Sequence, residues 1–169
     1  MPELPTPRRI VTGHDAQGRS VIVTDGGPPA TRSVSDGASF HDIWLTGASP
    51  AAIAATEPEP IRSGELLGPP ASGTRVRIVD MPPGVRSPMH RTESVDYGVV
   101  LEGSVTLILD DGSATEVRAG ELVVQRGTDH AWENRGQAPA RVLFVLVGGR
   151  FDDGLRAALP DDAVTHDVD

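Results

Sequence analysis

From Thr74 to Val147 the chain alternates short apolar runs, rich in β-branched residues, with turn-forming residues. The runs are Arg75–Met81, Tyr97–Glu102, Val105–Leu109, Ala114–Val117, Leu122–Gln125, Ala131–Asn134 and Arg141–Val147. Runs so short and so evenly spaced leave no room for the crossover helices of a parallel sheet, and they predict an antiparallel sandwich or barrel. Asp110-Asp111-Gly112 supplies a hairpin turn, because glycine accepts the positive φ that such turns demand.

The N-terminal part is sparser. Arg9–Thr12 and Ser20–Thr24 flank the polar segment His14-Asp15-Ala16-Gln17-Gly18, a pattern for a hairpin with a longer loop. A further strand is expected over Phe40–Thr46, which carries Trp44. Residues 47–72, with Pro50, Pro58, Pro60, Pro69 and Pro70, read as loop with one helical turn near Ala51–Ala55. Helical spacing occurs over Asp152–Leu159, with Asp152 and Asp153 near the start and Pro160 after the end. The organisation is then an arm and Pro-rich connection (1–73), a strand-rich core (74–149), and a helix with an acidic tail (150–169), in one structural domain.

Composition removes several chemistries. The net charge of −9 disfavours nucleic acid and anionic membranes. There is no cysteine, hence no disulfide, thiolate ligand or thiol nucleophile. All 15 basic residues are arginine, which excludes a lysine Schiff base and a P-loop lysine. Met1-Pro2-Glu3-Leu4-Pro5 lacks a charged-then-apolar secretory pattern and no run is long enough to span a bilayer, so a cytoplasmic location is expected.

Residues 84–103 resemble the first cupin motif, G-x5-H-x-H-x3-4-E-x6-G, with Gly84, His90 and Gly103 at their positions. Thr92 stands where a second histidine is usual, and Asp96 replaces glutamate. Residues 120–134 resemble the second motif, reading G-x4-Q-x-G-x2-H-x3-N through Gly120, Gln125, Gly127, His130 and Asn134, with Gln125 in place of proline. The resemblance spans roughly Thr74 to Val147. It implies an all-β, cupin-type double-stranded β-helix (a jelly-roll barrel) with an N-terminal β arm and a short C-terminal helix.

Strand parity gives the grouping independent support. In extended backbone, alternate side chains share a face, so His90, Thr92 and Asp96 would point into the barrel while Arg91 and Glu93 point away. His130, Trp132 and Asn134 would share a face likewise. His90, Asp96 and His130 are therefore the candidate catalytic residues. As two imidazoles and a carboxylate they are also a candidate facial triad for a divalent metal (Fe, Mn, Zn or Ni), although Thr92 leaves the family's ligand set one short and a metal-free site is the alternative. Candidate substrate contacts are Thr92, Trp132, Arg77 and Arg86, for which a strand residue, a core ring and solvated guanidinium groups are the plain structural readings.

The resemblance implies a small-molecule substrate without choosing a reaction. A lyase-type enzyme (decarboxylase, dehydratase, isomerase or cyclase) acting on a carbonyl- or carboxylate-bearing metabolite is the first expectation. An Fe(II)-dependent dioxygenase and a non-catalytic ligand-binding barrel are the alternatives. A homodimer is expected, since the arm is too small to be stable alone.

Overall fold

The arm begins with β1 (Arg9–His14) and β2 (Ser20–Gly26), which pair antiparallel from Arg9↔Gly26 to His14↔Ser20. The turn between them is fixed by Asp15, whose Oδ1 accepts from the backbone N–H of Gln17 and Arg19, both at 2.9 Å. The computed structural model describes residues 4–35, 37–61 and 68–160; the acidic tail after Pro160, with His166, lies outside them. Next come β3 (Ala30–Ser33), which the hydrophobic pattern does not predict, and β4 (Ser39–Thr46). The core strands are β5 (Thr74–Met81), β6 (Ser94–Glu102), β7 (Ser104–Leu109), β8 (Ala114–Arg118), β9 (Leu122–Arg126), β10 (His130–Glu133) and β11 (Ala140–Gly148), followed by α1 (Asp153–Ala158).

Six strands form one sheet in the order β3-β4-β5-β11-β6-β9, and three form another in the order β10-β7-β8. Every pairing is antiparallel. Val79, Met81, Val100 and Val142 from the large sheet bury against Val105, Val117 and Trp132 from the small one, so the two sheets close face to face on one core. The result is the all-β jelly roll that the motif resemblance implied.

Two local expectations differ from the structure. No helical turn forms at Ala51–Ala55; this stretch has no regular secondary structure and Ile53 is 86% exposed. A single turn with no apolar face to bury cannot repay the cost of helix nucleation, and the Ala55 carbonyl instead accepts from His14 N–H at 3.2 Å. The β5 arginines are not a solvated face. Arg75 and Arg77 point inward and are buried, while Val76 and Ile78 take the outer face.

α1 is capped by Asp152, whose carboxylate accepts from Leu155 N–H at 2.7 Å. No helix among the described residues is long and apolar enough to cross a membrane.

Candidate functional site

The loop ahead of β6 is zipped against β10. Gly84 N–H donates to Asn134 O (2.8 Å), Asn134 N–H to Val85 O (2.9 Å) and Ser87 N–H to Trp132 O (2.9 Å), and His90 and His130 exchange both backbone hydrogen bonds at 2.9 Å. These bonds hold the loop along β10 although only a few of its residues count as strand. His90, Thr92 and Asp96 line one cavity together with His130 and Trp132. Arg91 and Glu93 point away from it.

The cavity has a volume of about 240 Å³. Phe40, Val79, Met81, Trp132, Phe144 and Leu146 make most of its apolar wall. Phe144 reaches it because its β6 partner is Gly98: a Cβ there would lie 2.9 Å from the Phe144 ring. The Trp132 ring meets Phe144 edge-on at 5.5 Å and His130 at 6.5 Å.

The two imidazole rings lie 4.3 Å apart, centroid to centroid, tilted by 53°. Each is held in the same way: His90 Nδ1 is 2.9 Å from Pro88 O, and His130 Nδ1 is 2.9 Å from Thr128 O. A carbonyl oxygen can only accept, so each Nδ1 carries the proton, and in the neutral ring Nε2 is left as a bare acceptor. Neither Nε2 has a hydrogen-bond partner among the described residues. Burial, and secondarily the neighbouring His90, pulls the His130 pKa down to about 4, so this ring is neutral at pH 7.

Asp96 sits on β6 opposite Gln125 of β9 and is 6% exposed. Burial pushes its carboxyl up to about 6, against the opposing effect of Ser94 Oγ, which donates to Oδ1 at 2.7 Å. An acid and a base whose environments drive their pKa values in opposite directions thus share one cavity.

The other candidates divide. Thr92 and Trp132 are in the wall. Arg77 is also in the wall, but its guanidinium is engaged: Nε donates to Asp42 Oδ1 at 2.8 Å and the group stacks on Phe40 at 4.9 Å. Arg86 does not reach the cavity; it is exposed and bridges to Glu133 on the far side of the zipped loop. Asn134 turns into the barrel end, donating to Met81 O and Ala138 O.

Three residues of the site escaped sequence reasoning. Gln125 is 3% exposed and in the cavity wall, and its motif position was the available signal. Ser94 and Phe144 had none, since their roles depend on pairing partners.

A divalent metal fits this donor set poorly. Among the described residues no three His, Cys, Asp or Glu side chains converge closely enough to hold an ion, so Asp96 does not complete a triad with the two imidazoles. Thr92, at the usual second-histidine position, adds only a hydroxyl.

A model of the cupin domain matches residues 77–146. "Phomopsin biosynthesis cluster protein C'" of Diaporthe leptostromiformis is 43% identical over 152 residues, covering 86% of this chain and 80% of that protein. The cupin-domain-containing oxidoreductase fogC of Aspergillus ruber is 39% identical over 166 residues, covering 91% of this chain and 82% of its own length. An RmlC-like cupin from Shewanella frigidimarina superposes with a TM-score of 0.50 over 72% of this chain and 85% of its own, at 11% identity, which shows the shared fold. The chain belongs to the cupin family.

Proposed function

We propose that this cupin is a small-molecule enzyme of secondary metabolism that moves a proton on a carbonyl-bearing compound, chemistry of the isomerase, dehydratase or wider lyase type. The names of its relatives, biosynthesis cluster proteins and oxidoreductases, support a biosynthetic enzyme. The chemical reading rests on one observation: two imidazoles with anchored Nδ1 protons present two bare Nε2 acceptors in an apolar cavity that also holds a carboxyl with a raised pKa.

His130 Nε2 takes the proton from the carbon next to the carbonyl. Asp96, in its protonated form, gives a proton to the carbonyl oxygen, so that the product of this step is the neutral enol. Return of a proton to a different carbon isomerises the substrate, and loss of a β-hydroxyl as water dehydrates it. His90 lies beside His130 in the same cavity, and the Trp132 and Phe144 rings keep bulk water away.

The test is hydrogen exchange at carbon. Protein freed of metal by chelation is incubated in D₂O with a panel of small enolisable ketones and aldehydes, and deuterium uptake is followed by NMR. Uptake that falls by about 10²–10⁴-fold in His130→Ala supports the reading, following the usual contribution of a general base. Equal uptake in the parent and in His130→Ala sinks it.

The relatives named oxidoreductases favour a second reading, oxidation of the same kind of molecule. Oxygen consumption that depends on both substrate and added Fe(II) distinguishes it. Tight binding with neither exchange nor oxygen uptake marks a ligand-binding barrel.

A further inference from the structure

The histidine pair restricts what can lie against it. Both rings hold their Nδ1 protons against backbone carbonyls, at Pro88 and Thr128, so neither can turn a donor toward the other without breaking a 2.9 Å hydrogen bond. Two lone pairs on rings 4.3 Å apart repel each other, and one proton presented between them relieves that repulsion. An anionic carboxylate brings no proton and adds negative charge beside Asp96. An ether or ester brings an acceptor where acceptors are already in excess. Phe40, Val79, Met81, Trp132, Phe144 and Leu146 make much of the remaining wall apolar, with Gln125 and the Asp42-paired Arg77 as polar members, which favours a ligand that is largely apolar beyond the group it presents to the histidines. The cavity of about 240 Å³ lies below the usual range for drug-sized ligands, roughly 300–1,000 Å³.

We infer that the cavity takes a small, largely apolar molecule carrying a weakly acidic hydroxyl, a phenol or the enol form of a carbonyl compound, with that hydroxyl donated to the Nε2 atoms of His90 and His130. The inference rests on the reading of this pair as a proton acceptor and adds the class of molecule it accepts from. The flat aromatic wall of Trp132 and Phe144 suits a planar, conjugated body, the shape that phenols and conjugated enols share. The hydroxyl of such compounds is acidic enough to share its proton with a neutral imidazole, so the hydrogen bond strengthens as charge moves onto the ring.

The test compares three probes with the whole chain after chelator treatment: 4-nitrophenol, 4-nitroanisole, which lacks the proton, and benzylamine, which is cationic. In a Trp44→Phe variant the remaining indole, Trp132, reports occupancy of the cavity through quenching by the nitro compounds. The expected result is that 4-nitrophenol binds about tenfold more tightly than 4-nitroanisole, one charge-assisted hydrogen bond's worth, with its absorbance moved toward the phenolate. The preference should fall to within about twofold in His130→Phe, and likewise in the independent His90→Phe variant. Equal binding of the phenol and its methyl ether overturns the inference, as does tighter binding of benzylamine. So does a preference that survives both substitutions or that appears only on adding a divalent metal. A phenol preference without carbon exchange leaves this inference standing and removes the proton-transfer reading. Exchange that needs His130 without a phenol preference removes this inference alone.

Discussion

His90 and His130 exchange two backbone hydrogen bonds of 2.9 Å across an isolated antiparallel bridge, and their rings therefore meet at 4.3 Å inside the barrel. The separation of the two acceptors is thus set by main chain rather than by side-chain choice. Most of what is expected of this protein follows from that bridge and from what surrounds it.

Behind the bridge, on the side away from the cavity, Arg91 and Asp129 form a buried ion pair at 3.4 Å, and Arg91 also donates to Pro160 O at 3.2 Å. Arg91 is 1% exposed. Removing one member leaves the other charged and unpaired, so Arg91→Met should cost about 3–5 kcal/mol. The double variant Arg91→Met/Asp129→Leu, in which no charge is stranded, should recover most of it. Urea unfolding of the parent and the two variants checks this; a double variant no more stable than Arg91→Met would contradict it.

Asp96 makes stability depend on pH in a defined direction. Its folded pKa of about 6 stands above the unfolded value, near 4. Such a carboxyl contributes its stability below the unfolded value and loses it as pH rises through about 6. His130, with a folded pKa of about 4 below an unfolded value near 6.5, works oppositely: its contribution is present above pH 6.5 and lost as pH falls through about 4. Asp96→Asn removes only the first effect. Relative to the parent, this variant should gain on the order of 2–3 kcal/mol between pH 4 and pH 7. Denaturant titrations at the two pH values measure it, and a constant difference would show that the carboxyl is not held neutral by burial.

Gly98 is the place where the cavity is most easily altered without touching a polar group. Gly98→Ala places a methyl 2.9 Å from the end of the Phe144 ring, which must swing aside. Stability should fall by only ~1 kcal/mol, the low end of overpacking costs, while binding of a planar probe weakens several-fold because the wall has moved. Unchanged binding would mean that Phe144 does not shape the occupied space.

Glu93 anchors the C-terminal segment: its Oε1 accepts from Phe151 N–H at 2.7 Å and pairs with Arg156, while the Phe151 ring fills the space that the absent Gly127 side chain leaves. Glu93→Gln should raise hydrogen exchange across residues 151–159 at least tenfold and leave β5–β11 protected, since these contacts join the helix to the barrel edge. Equal exchange in the two proteins would assign the anchoring to Phe151 alone.

The strand runs and the turn at Asp110-Asp111-Gly112 were legible in the sequence because they depend on period-two alternation and on local turn chemistry, and the grouping of His90 with His130 in one pocket came from their positions in the two motifs. The facing of Arg75 and Arg77 was not. Arginines alternating with Val76 and Ile78 read as a solvated face, and the partner that permits inward arginines, Asp42, lies on β4, far away in sequence. Arg86 was not legible for a related reason: it pairs with Glu133 whereas His90 pairs with His130, a one-residue slip in register, so its shared parity with His90 does not carry it into the cavity. β3 owes its existence to pairing with β4, and its four residues carry little intrinsic β signal beyond Thr31.

The sequence expectation of a homodimer is sharpened by the arm. Ile10, Ile22 and Val23 are half or more exposed on the β1–β2 hairpin, as are Leu122 and Val124 on the outer face of β9. Light scattering at tens of micromolar should give twice the chain mass, and Ile22→Glu should shift it to the monomer; a monomeric parent protein would contradict the expectation.

The most direct test of the central claim is the protonation pattern of the two rings, read from long-range ¹H–¹⁵N correlations of the imidazole nitrogens at pH 7 in chelated protein, with His90→Phe and His130→Phe for assignment. His130 should be neutral with its proton on Nδ1, His90 should carry its proton on Nδ1 as well, and both Nε2 signals should show an unprotonated nitrogen which shifts when 4-nitrophenol is added. A proton on Nε2 of either ring, or Nε2 signals that do not respond to the phenol, would contradict it.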